Sequence, residues 1–220
     1  MTYKQKIKNL VSKTAFKNLE RYAELLEEKN KVMNLTGFKG DKLWEEGIYE
    51  SIIVLKECIG YIKDKKILDI GAGAGFPSVP YLIVNPSNEL TIYEPIKKRT
   101  LFLKEVKEKL NLNINIKCIR SEDSDQEEVF DYITARAVTN LKALIEISHK
   151  PAKIGATFIY MKGPRSIQEL VDAKIVIHNF SINPSIKKVL LKSRENFVIM
   201  YDKTLSTPER FPRPWKEIIA

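Results

Sequence analysis

Apolar positions follow one period in the first part of the chain and another in the rest, and the change falls near residue 60. Ile7, Leu10 and Val11, then Phe16, Leu19, Tyr22, Leu25 and Leu26, recur three or four residues apart, as along one helix face. After "MNLTG" the set Leu43, Ile48, Ile52, Ile53 and Leu55 continues that spacing, so an all-helical segment with a turn over 34–40 is predicted. From Lys65 short apolar runs alternate with amphipathic segments. The runs "KKILDI", "ELTIYE", "NINIKCI", "FDYITAR", "ATFIYMK", "KIVIHNF" and "NFVIMYD" read as strands, and 76–84, 97–110, 140–148 and 166–173 as helices. This alternation predicts an α/β fold, a doubly wound, mostly parallel seven-stranded sheet with an N-terminal helical cap, because right-handed crossovers place helices on both faces. Only the last two runs lack a helix-length connection. "SINPSIKKVLLKSRE" between them reads as a hairpin with a strand-like centre, so one sheet edge is expected to be antiparallel. The expected organisation is a cap over 1–60, a sheet domain over 61–205 and a basic tail over 206–220, with no internal repeat.

Composition narrows the classes of function. With 220 residues, 44% hydrophobic and 30% charged, the chain can bury a core. No apolar run approaches the roughly 18 residues of a membrane span, and "MTYKQKIKNL" lacks the apolar core of a secretory signal, so a cytoplasmic protein is expected. Cys58 and Cys118 stand far apart, outside any CxxC or Cys/His spacing, which predicts two core cysteines and neither a disulfide nor a metal site. A net charge of +9 favours a polyanionic partner, although a lysine-rich solvated surface accounts for it equally well.

The chemistry concentrates at "ILDIGAGAGFPSVPYL". Gly71, Gly73 and Gly75 follow a predicted strand and lead into a predicted helix, a turn that lets an extended ligand approach the main chain. The dinucleotide pattern G-x-G-x-x-G would need glycine where Phe76 stands, which disfavours NAD or FAD. Glu94 ends the next strand about twenty residues on, where a carboxylate accepts hydrogen bonds from ribose hydroxyls. Asp69 either supports the turn or reaches a cofactor amine. The competing explanation, tight strand–helix packing, accounts for the glycines but not for Glu94.

"LDIGAGAGFPSVPYLI" followed by "YEPIKKRTLFL" resembles motif I and the second strand of class I S-adenosylmethionine-dependent methyltransferases, with a Rossmann-like fold. The resemblance is greatest to the bacterial glucose-inhibited division protein B family, whose pattern is D-x-G-(T/S)-G-x-G-(L/F)-P-G-(I/L)-P. Further matches are "NLTG" at Asn34, "KKRTLFL", "RSED" at Arg120, "TARAVTNL" and "MKGP", an ordered set over about residues 30 to 165. Ser78 replaces the family's glycine, and "GIYES" places Gly47 where the family has histidine. The resemblance implies S-adenosyl-L-methionine as cofactor and methyl transfer to N7 of one guanine in 16S ribosomal RNA. By the same resemblance Gly71, Phe76, Ser121, Glu122 and Arg136 contact the cofactor, and Arg136, Lys162 and Asn34 position the substrate. Guanine N7 has an in-plane lone pair and no proton, so no general base is required, and His149 and His178 are expected to be structural.

For RNA contact, Lys97, Lys98 and Arg99 at a helix start and Arg213 in "RFPRPWK" are the candidates. The tail reads equally as a proline-stiffened segment packed on the domain. The expected partner is 16S RNA, free or in an assembling small subunit, with the protein a monomer and without membrane or metal. Competing functions are methyl transfer to another RNA or a small molecule, a nicotinamide oxidoreductase, and a non-enzymatic RNA-binding protein.

Overall fold

A computed structural model describes residues 1–191 and 195–219. Its helices are α1 (Tyr3–Leu10), α2 (Lys13–Met33), α3 (Glu50–Ile59), α4 (Ser78–Val84), α5 (Lys97–Leu110), α6 (Leu141–His149), α7 (Ser166–Asp172), α8 (Lys174–Asn179) and α9 (Trp215–Ile218). Its strands are β1 (Lys66–Ile70), β2 (Glu89–Tyr93), β3 (Ile114–Lys117), β4 (Phe130–Arg136), β5 (Ala152–Lys162), β6 (Ser185–Leu190) and β7 (Glu195–Asp202). Helix α2 forms where the apolar spacing predicts it, and its stripe Phe16, Leu19, Tyr22, Leu25 and Leu26 is buried. Its ends are set locally: Ser12 accepts from the Ala15 amide, and Asn34 takes the left-handed C-cap conformation. A π-helical stretch, Leu43–Tyr49, leads into α3.

The strand order is β3-β2-β1-β4-β5-β7-β6, parallel through β5 and antiparallel at β7 and β6. The order reverses between β1 and β4, where a ligand crevice opens at the carboxyl ends of the strands. Alternating strand residues feed two cores. Ile67, Ile92, Ile159 and Val198 join the cap, α4 and α5 on one face, while Leu68, Tyr93, Ile133 and Phe158 join α6, α8 and the tail on the other. The cap thus shares a core with the sheet.

Two expectations need correction. "KIVIHNF" is helix α8 and not a strand, so His178 is helical as well. Its β-branched run imitates a strand, but the residues that reach the core are Ala173, Val176 and Phe180, which are three and four positions apart, as on a helix. The sixth strand is instead β6, the centre of the expected hairpin, and its lysines Lys187 and Lys188 lie along the outer edge. Residues 192–194 of that hairpin lie outside the described residues. Cys118 is exposed and Cys58 half-buried, so neither is a core residue; both are free thiols.

His149, at the end of α6, is fully buried between the rings of Phe158 and Phe180 at 5.7 and 4.6 Å, and its Nδ1 meets Thr207 Oγ1 at 2.8 Å. Burial first, and then the Lys203 charge, push its pKa down to about 3. Between that value and 6.5 the unfolded chain binds a proton that the folded chain refuses, so stability is lost as pH is lowered through this window. His149 should contribute a slope of about 1.4 kcal/mol per pH unit there, and urea unfolding at pH 6, 5 and 4 should show a shallower loss in His149→Gln.

Candidate cofactor site

The carboxyl end of β1 delivers Asp69 and the glycine turn to the crevice. Gly71, Gly73 and Gly75 all have positive φ, at 66°, 60° and 108°, so the turn depends on glycine for its backbone. The space around them differs. A Cβ on Gly75 would meet Val79 at 2.7 Å and Tyr22 Oη at 3.1 Å, whereas one on Gly73 would meet nothing within 4 Å. Gly75 packs tightly against the protein, and Gly73 borders open space. Asp69 is fully buried; one oxygen accepts from the Ser78 hydroxyl at 2.5 Å, so it supports the turn, and the other is buried without a hydrogen-bond partner. Burial raises its pKa more than the Ser78 hydrogen bonds lower it.

Glu94 follows β2 with its side chain almost fully buried. One carboxylate oxygen accepts from the Gly73 amide at 2.9 Å and the other from the Ile96 amide at 2.9 Å, while Arg99 Nη1 stands 3.6 Å away. Around this group lies an open cavity of about 210 Å³, whose walls include Gly71, Glu94, Ile96, Ser121, Glu122 and Trp215. Ser121 begins a 3-10 turn after β3 and donates to the Ile147 carbonyl at 2.7 Å. Glu122 Oε1 is buried without a hydrogen-bond partner, with Arg120 Nη1 at 3.8 Å, and burial raises its pKa. The loop after β4 closes the other side: Ala137 adopts φ 54°, and the Val138 methyls would meet a Cβ on Gly71 at 2.9 Å.

The rRNA small subunit methyltransferase G family matches residues 15–198. This chain is 42% identical to a protein of Mycoplasmopsis pulmonis named ribosomal RNA small subunit methyltransferase G, over 98% of this chain and 96% of the other. A protein of Mesomycoplasma hyopneumoniae (strain 7448) with the same name is 44% identical over 84% of this chain and 96% of its own length. The chain belongs to the rRNA small subunit methyltransferase G family. Solved structures show the same fold at much lower identity. A SAM-dependent methyltransferase from Aquifex aeolicus has a TM-score of 0.53 at 18% identity, covering 71% of this chain and 91% of that one. A SAM-dependent O-methyltransferase from Thermotoga maritima gives 0.57 at 15% identity, covering 84% of this chain and 73% of that one.

As a member of the methyltransferase G family, the protein is an S-adenosyl-L-methionine-dependent enzyme. The crevice fits that cofactor: Gly73 leaves a cradle that a side chain would begin to fill, Glu94 offers a buried carboxylate, and Glu122 has an unsatisfied oxygen. Of the expected cofactor residues, Gly71, Glu94, Ser121 and Glu122 line the cavity. Gly73 shapes the turn beside it through its bond to Glu94. Gly75, Phe76 and Asp69 act from behind. The Phe76 ring turns into the cap, against Tyr22 at 5.9 Å and Phe38 at 5.6 Å, and a Cβ on Gly47 would lie 2.9 Å from it. Glycine at 47 makes room for that ring, and Ser78 supplies the hydroxyl for Asp69, which gives both departures from the family pattern a structural role.

Arg136 also faces the cap. Its Nη2 is 2.7 Å from Glu50 Oε1, its Nη1 donates to the Glu46 carbonyl at 2.9 Å, and its guanidinium lies over Phe38. Lys162 donates to the Thr139 carbonyl and pairs with Glu169 at 2.7 Å, so it holds the loop after β4. Asn34 is an exposed cap residue; Asn30 organises this turn by accepting from the Leu35 and Thr36 amides. Among the RNA candidates, Lys97 is exposed at the start of α5, and Lys98 donates to the Met33 carbonyl at the end of α2. Arg99 lines the cavity. Arg213 grips the fully buried Glu146 through Nε and Nη2 at 3.0 and 2.8 Å, so it anchors the tail. Sequence reading missed Ile96, Arg120, Val138 and Trp215 as cavity residues. Ile96 was accessible, two residues after Glu94; Trp215 was not, because only the folded tail brings it there.

Removing the Arg136 guanidinium leaves the Glu50 carboxylate, 1% exposed, without that partner. Arg136→Ala should therefore lower stability by about 3 kcal/mol in urea unfolding. Unchanged stability with lost methyl transfer would place Arg136 at the substrate instead.

Proposed function

We propose that this protein transfers a methyl group to N7 of a guanine in 16S ribosomal RNA, acting in the cytoplasm as a monomer. The observation that carries this reading is the juxtaposition of two spaces at the switch point of the sheet. The cofactor cavity adjoins an open hollow of about 510 Å³ through Ala137 and Val138, which line both. Thr139, Asn140, Arg165 and Gln168 line the hollow together with the carboxylates of Asp172 and of Glu169, the latter paired with Lys162, so it offers hydrogen-bonding groups and one cation to an incoming nucleotide.

When bound, S-adenosyl-L-methionine supplies an electrophilic methyl group. Glu94 and the main chain at Gly73 would hold its ribose end, Ser121 and Glu122 its purine. Because guanine N7 carries no proton, the chain's task is positioning and exclusion of water, and no base is required. His149, held neutral and stacked in the core, is not placed for proton transfer. Lys162 and Glu169 position the loop between the two spaces, and Lys162 thereby acts on the substrate through Thr139. The net charge of +9 matches a polyphosphate substrate. No described helix is long and apolar enough to cross a membrane.

The test is transfer of labelled methyl from S-adenosyl-L-methionine to 16S RNA and to small subunits from a strain lacking the modification, with N7-sensitive cleavage to map the base. One N7-methylguanine is expected. Methylation of another atom, or of another RNA or a small molecule only, would contradict the reading, and comparison of the two substrates shows whether ribosomal proteins take part in recognition.

A further inference from the structure

We propose that Trp215, carried by the C-terminal tail, is a wall of the adenine end of the cofactor site, and that Arg213 is the positioning residue that holds it there. This rests on reading the cavity at the glycine turn as the S-adenosyl-L-methionine site. Trp215 is half-buried and lines the same cavity as Glu94, Ser121 and Glu122. The Arg120 guanidinium lies over its indole at 5.3 Å and reaches Glu122 Oε1 at 3.8 Å, so indole, cation and carboxylate form one group at one end of the cavity. Glu122 Oε1 is buried and has no hydrogen-bond partner. A purine with an exocyclic amine satisfies both features, donating to that oxygen and stacking on the indole.

The tail is built to keep Trp215 in place. Helix α9 spans four residues and cannot persist alone. Three anchors fix it: Phe211 is buried against Phe180 at 4.7 Å, Ile218 is 1% exposed, and Arg213 binds Glu146 through its side chain and through its own amide at 2.8 Å. Glu146 is fully buried on α6, the helix whose Ile147 carbonyl accepts from Ser121. One helix thus positions the tail and the loop after β3 together.

The chain has two tryptophans, and the other, Trp44, packs in the cap against Phe16. In a Trp44→Phe protein the emission therefore belongs to Trp215 alone. Titration with S-adenosylhomocysteine should change that emission along the same isotherm that calorimetry gives. Trp215→Ala should weaken S-adenosylhomocysteine binding about tenfold or more, with Trp215→Phe retaining most of the affinity. Arg213→Lys, which keeps the charge but loses the two-pronged bond, should weaken it in the same direction. Silent emission with unchanged affinity in Trp215→Ala would overturn the proposal and leave the cofactor site standing. Failure of the wild-type protein to bind S-adenosylhomocysteine would overturn the site reading as well.

Discussion

Two main-chain amides, those of Gly73 and Ile96, converge on the buried carboxylate of Glu94, and the order of the site depends on that convergence. The glycine turn belongs to β1 and the Ile96 segment to β2, so one side chain couples the loops of two neighbouring strands. A carboxylate taken out of water is costly unless its lone pairs are met, and two amide hydrogen bonds supply much of what is needed. Glu94 also lines the cavity beside the glycine turn.

The cap supports the same turn from the opposite side. Tyr22 donates to the Ala74 carbonyl at 2.7 Å, and Phe76 inserts its ring among Tyr22, Phe38 and the space left by Gly47. Arg136 adds a second tie, from the end of β4 to Glu50 and Glu46. The N-terminal helices thereby support both the glycine turn and the end of β4.

Much of this was legible in the sequence because it is local. The glycine turn, Glu94 and the helices α2, α5 and α6 follow from spacing within short windows. The misread α8 shows the limit: six residues, three of them β-branched, do not declare a period, and core contacts from Ala173, Val176 and Phe180 decide it. Charge in the sequence does not tell which partner a cation meets in the fold. Arg136, Lys162 and Arg213 look like substrate-binding cations in sequence, yet each has a carboxylate partner distant in the chain or in a neighbouring helix. Such pairings arise only from tertiary structure, as does the entry of Trp215 into the cavity.

Whether the open face of the glycine turn receives the cofactor is read by calorimetry of S-adenosylhomocysteine with Gly73→Ala. The added methyl group meets no protein atom within 4 Å and projects into open space. The positive φ adds a folding cost of about 1 kcal/mol. Gly73→Ala should fold and bind at least tenfold more weakly; a folded variant that binds as tightly as the wild type would show that the cofactor does not lie against this turn.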